Sequence, residues 1–62
     1  MKLVTFHYYK SHNEILVNCN SISFVNPSDI FEGATEVGLI GTNEYLILQE
    51  NYEEVKRRIY RS

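Results

Sequence analysis

The feature that most constrains this chain is a change of period at Asn51. Tyr45, Leu46, Ile47 and Leu48 form a short apolar run between Glu44 and Gln49, whereas from Tyr52 onward the apolar residues fall at Tyr52, Val55, Ile59 and Tyr60. The first pattern is that of a strand and the second that of one helical face. A strand must therefore pass into a helix with almost no loop between them. Asn51 carries the short acceptor side chain of an N-cap, and Glu54 three residues on completes a capping-box pattern that would satisfy two orphan backbone amides.

The 62 residues suit one domain with one small core, because a chain of this size buries only about 60% of the surface its unfolded form exposes. A single cysteine, Cys19, excludes an internal disulfide and a four-cysteine zinc site. Association with another chain is the remaining support for so small a core. No apolar run approaches the roughly 20 residues needed to span a bilayer, and the N-terminus lacks a charged segment followed by an apolar stretch and a cleavage site. The expectation is a cytoplasmic protein without membrane contact.

Upstream of the corner, residues 2–9 alternate as a strand, with Val4, Phe6 and Tyr8 on one face. A polar break at residues 10–13 is of hairpin length, and Glu14–Asn18 reads as its second strand. A third strand is expected over residues 21–25, with Ile22 and Phe24 pointing one way and Ser21, Ser23 and Val25 the other. Pro27 then marks a turn that interrupts the sheet. Residues 28–34 are expected to form a helical turn in which Ile30 and Phe31 plug the core, the alternative being a mobile loop that leaves both exposed. A fourth strand covers residues 35–40, with Gly38 and Gly41 marking a bulge or bend, and residues 41–43 make a hairpin connection into the fifth strand.

These elements predict an α+β fold: a small twisted antiparallel sheet of four or five strands, open or curled into a partial barrel, with one C-terminal helix across one face. Its core should draw on Val4, Phe6, Ile15, Val17, Ile22, Phe24, Val37, Leu39, Ile47, Val55 and Ile59.

Candidate chemistry is sparse. His7, His12 and Cys19 match no zinc-ligand spacing, and nothing near Cys19 supplies a base, an orienting group and an oxyanion hole. The three glycines fall in no phosphate-binding arrangement. No catalytic, metal or cofactor site is expected. Two groups of residues stand out instead. Tyr8, Tyr9, Tyr45, Tyr52 and Tyr60 are many for so small a surface, and tyrosine offers large amphipathic contact area at low entropic cost. Lys56, Arg57, Arg58 and Arg61 are four of the six basic residues, while every acid lies at or before Glu54. Pairs at i,i+4, Glu53 with Arg57 and Glu54 with Arg58, together with the helix dipole, account for that asymmetry.

The run Ile15-Leu16-Val17-Asn18, then Ile22 with Phe24, the Pro27 turn, Val37 and Leu39, Thr42-Asn43, and Tyr45 through Glu50 with Glu54-Val55 resembles the small bacterial flagellar FlbD-like proteins. Those chains carry strands, an Asn-Gly hairpin and a terminal helix opened by a Glu-Ser-x-x-Glu-Val stretch. Here the stretch is Glu50-Asn51-Tyr52-Glu53-Glu54-Val55, and Thr42-Asn43 stands at the hairpin. The strand-strand-helix order is also similar to the first half of LytTR-type DNA-binding domains, without their second half.

The function expected is that of a non-catalytic interaction or regulatory accessory protein working through protein contacts and self-associating, most simply as a homodimer. Edge pairing of residues 2–9 between two copies, with Tyr8 or Tyr9 buried against the second copy, is the expected arrangement. The competing reading is a nucleic-acid-binding regulator that uses Lys56, Arg57, Arg58 and Arg61.

Overall fold

The computed structural model describes residues 2–61. In chain order these form β1 (Leu3–His7), β2 (Glu14–Asn18), a short 3-10 turn at Cys19–Ser21, β3 (Ile22–Pro27), β4 (Thr35–Leu39), β5 (Tyr45–Leu48) and α1 (Tyr52–Arg61). This is the α+β arrangement the periodicity predicts. β1 and β2 pair antiparallel as one sheet, and β3, β4 and β5 pair antiparallel as another. The end of β1 joins them: Tyr8 bridges Leu48, Tyr9 N–H donates to Ile47 O at 2.9 Å, and Gln49 N–H donates to His7 O at 2.7 Å. The strands therefore follow one another in space as β2-β1-β5-β4-β3.

Both sheets and the helix turn their apolar sides to one core. Phe6 from β1, Val17 from β2, Val37 from β4, Leu48 from β5 and Val55 from α1 form its buried centre, with Val4, Ile15, Ile22, Val25, Leu46 and Ile59 packed around it. The helix starts where expected, and Asn51 Oδ1 accepts the Glu54 N–H at 2.8 Å. The reciprocal half of the capping box is replaced, because the Glu54 carboxylate turns along the helix to Arg57 and Arg58.

Three expected core residues lie elsewhere. Ile22 pairs with Leu39 and Phe24 with Gly38, so β3 carries one extra residue at Ser23. That bulge resets the alternation of the strand. Ile22 and Val25 then pack on the core, while Phe24 turns outward and is 42% exposed. Its ring lies over Gly38, where an added Cβ would collide with it, so the glycine provides the seat for an aromatic ring. Leu39, the last residue of β4, is only half-buried. Ile47 is the third. The run 45–48 has no polar residue to reveal its phase, and the pairing of Val37 with Leu46 and of Thr35 with Leu48 puts Leu46 and Leu48 on the core face.

The sheet is not interrupted at the proline, since β3 extends through Pro27, which pairs with Thr35. Residues 28–34 form no helical plug. Ser28 Oγ accepts the N–H groups of Ile30 and Phe31, Ser28 N–H donates to Ala34 O, and Gly33 takes φ +84°. Local side-chain bonding of this kind favours a turn over a helix. Ile30 is left 69% exposed. Phe31 packs against Tyr9, their ring centroids 4.8 Å apart.

Two pairs of substitutions test this arrangement. Leu48→Ala should cost about 2–5 kcal/mol, as truncation of a fully buried leucine does, whereas Ile47→Ala should cost far less; equal losses in chemical denaturation would contradict the facing of β5. Asn51→Ala should lower stability by about 0.5–2 kcal/mol while Asn51→Ser stays close to the parent, measured by thermal melting.

Candidate functional site

The corner between β5 and α1 is where the chain concentrates its polar contacts. Cys19 N–H donates to Lys2 O and Tyr8 N–H to Asn13 O. Antiparallel bonding alternates, so Val4 and Phe6 turn their backbone groups to β2 while Thr5 and His7 turn theirs the other way. β5 covers that second side only as far as His7 O. Beyond it, side chains take the place of a strand. The Glu50 carboxylate accepts the His7 N–H through Oε1 at 3.0 Å, and the Arg58 guanidinium donates to Thr5 O at 2.9 Å.

The Glu50 carboxylate also accepts a 2.7 Å hydrogen bond from His7 Nδ1 through Oε2, and Arg58 Nη1 lies 3.5 Å from the same oxygen. Its side chain is only 8% exposed. The Thr35 hydroxyl, itself buried, donates to Glu50 O at 2.7 Å. Arg58 Nε donates to Glu54 Oε2 at 2.6 Å, and its guanidinium carbon sits 5.7 Å from the centre of the Phe6 ring. Burial alone would raise the Glu50 carboxyl pKa, but the His7 side-chain and backbone hydrogen bonds, a backbone bond at Glu50 itself and the charge of His7 together hold it below the usual carboxylate value. Glu50 is therefore ionised at neutral pH. An ionised carboxylate can only accept, which assigns the proton to Nδ1 of His7.

This cluster was not legible in the sequence. His7 reads there as a strand residue facing water or a neighbour; the neighbour is Glu50, 43 positions away. His12 Nδ1 meets Gln49 Oε1 at 2.5 Å, and Cys19 sits half-buried in the 3-10 turn. Among the described residues, no three His, Cys, Asp or Glu side chains converge as a metal-binding group.

The five tyrosines do not form one surface. Tyr8 and Tyr45 line a groove with Lys10 and Leu46, Tyr52 and Tyr60 line another with Val25 and Ile59, and Tyr9 packs on Phe31. The four basic residues of α1 are likewise divided. Arg58 points into the corner and pairs with Glu54 as expected, while Arg57 also pairs with Glu54 instead of Glu53. Lys56 lies 3.4 Å from Glu53 and over the Tyr52 ring. Arg61 is exposed.

Several large apolar side chains face outward. Leu3, Leu16, Phe24, Ile30, Ile40, Tyr45 and Tyr60 are all exposed. Phe24, Gly38 and Tyr45 stand in one register row across β3, β4 and β5, and Leu3 and Leu16 occupy diagonal positions across β1 and β2. The edge expected for residues 2–9 is not free, because Thr5, His7 and Tyr9 all have partners on the side of β1 away from β2. No helix is long and apolar enough to cross a membrane among the described residues.

No family model, curated protein or solved structure matches the chain. Its functional reading accordingly rests on its own geometry.

Glu50→Gln tests the corner. The folded carboxyl titrates below its unfolded value, so its ionisation stabilises the fold in full above the ordinary carboxylate range and ceases to do so as the pH falls through the lowered folded value. The variant should melt below the parent at neutral pH, with the difference shrinking in acid. A difference that stays constant on acidification would show that the Glu50 charge contributes nothing.

Proposed function

We propose that this chain is a non-catalytic interaction or accessory protein that works through protein contacts and associates with itself. The observation that carries the reading is the outer face of the strands, where Leu3, Leu16, Phe24 and Tyr45 stay exposed although the chain has a core with room for few of its apolar side chains. Single exposed apolar residues are ordinary, but neighbouring ones on a sheet face, Leu3 with Leu16 on one sheet and Phe24 with Tyr45 on the other, are the mark of a contact surface. A small core also gains most from an association that buries more apolar area. The resemblance to the flagellar FlbD-like chains fits a bacterial cytoplasmic accessory role, and it enters as part of this proposal.

The nucleic-acid reading draws less support. Phosphate binding needs cations free to leave their counterions for the ligand, and Lys56, Arg57 and Arg58 are already engaged with acids of the same chain. Sedimentation equilibrium over a range of protein concentration and of salt separates the two. The expected result is a mass that climbs above the 7.3 kDa of the single chain and does not fall as salt rises. A mass of one chain at every concentration, or a complex with nucleic acid that weakens steeply with salt, would overturn the proposal.

A further inference from the structure

The row of strands ends at β2 on one side and β3 on the other. β3 carries two devices that blunt an edge, the extra residue at Ser23 and the proline at position 27, which has no N–H. β2 carries neither. The same alternation that turns Thr5 and His7 away from β2 makes Ile15 and Val17 face β1, and leaves the N–H and C=O of Leu16, the C=O of Glu14 and the N–H of Asn18 pointing outward. Among the described residues these groups have no backbone partner. Leu16 is 56% exposed beside them, and Leu3, 50% exposed, lies diagonally across.

We propose that two copies of this chain join β2 to β2, antiparallel, about a two-fold axis through Leu16; this rests on the self-association proposed above and names the surface that performs it. In that register Leu16 faces Leu16 of the second copy and Glu14 faces Asn18. Two Leu16 N–H groups and two Asn18 N–H groups each gain a carbonyl, and the two sheets become continuous. The polar ends also match. Glu14 meets an amide and never a second acid, and among the described residues it belongs to no ion pair within the chain. Asn18 Oδ1 already accepts the Asn20 N–H at 3.0 Å, which leaves its NH2 group to donate to that carboxylate. A closed two-fold pairing uses up both edges and stops at two chains. A five-residue edge with two leucines is smaller than the ~800 Å² per partner of a standard complex, which puts the dimer among the weak, concentration-dependent ones.

Leu16→Lys and Leu16→Glu each set like charges against one another on the axis while leaving the β1 ladder untouched. In sedimentation equilibrium the parent should rise from 7.3 kDa toward twice that mass with concentration, either variant alone should stay at 7.3 kDa, and an equal mixture of the two should regain association. Amide hydrogen exchange on the parent gives a second reading without mutation, since the Leu16 and Asn18 N–H groups should slow as concentration rises. A Lys variant that associates as strongly as the parent, or Leu16 exchange that ignores concentration in a parent that self-associates, overturns the β2 interface and leaves self-association standing. A parent at 7.3 kDa throughout removes both. If the variants fail to fold, the exchange measurement decides alone.

Discussion

The ionised carboxylate of Glu50 holds β1, the end of β5 and α1 in register at one point. Its two oxygens take the backbone N–H and the ring Nδ1–H of His7 and lie within reach of Arg58, while Thr35 fixes its own carbonyl from the β4 side. A charge this far from water is tolerated only when its lone pairs are filled, and here β1 supplies two donors through His7 while α1 brings the Arg58 guanidinium alongside. Arg58 extends the arrangement by donating to Thr5 O and Glu54 while its flat face covers Phe6. The corner thus joins the polar and apolar halves of the fold through one residue on each side.

That arrangement also decides which edges of the sheet are available. β5 ends after Leu48 because the chain must turn into the helix, and without further cover the outward side of β1 would be an open strand edge. Glu50 and Arg58 fill it with side-chain groups in place of a neighbouring backbone. The unpaired backbone is thereby moved to β2 and β3, and the bulge and proline of β3 make β2 the one suited to strand addition. The contact proposed for β2 and the adjoining leucines thus depends on how the corner is closed.

Much of the fold was legible in the residues. The period change at Asn51 located the strand-to-helix corner, β2 appears with the bounds its apolar run sets, and Asn51 caps the helix as its side chain dictates. These are local properties, fixed by which atoms lie within a few residues along the chain. The facing of β3 and β5 was not legible. Phe24 is placed outside by one inserted residue, and Ile47 by its pairing with Glu36 in the preceding strand, neither of which leaves a mark in a short apolar run. The turn at residues 28–34 went to local Ser28 bonding in place of a helix that would have buried Ile30.

By itself, then, the sequence determined the five strands and the C-terminal helix, their antiparallel class and the start of that helix, because propensity and capping act over a few residues. Tertiary structure alone decided which apolar residues reach the core and which stay outside, the pairing of His7 with Glu50 and the closing of the β1 edge. Those features depend on register between distant strands, and a shift of one residue reverses the face of every side chain without changing any local preference.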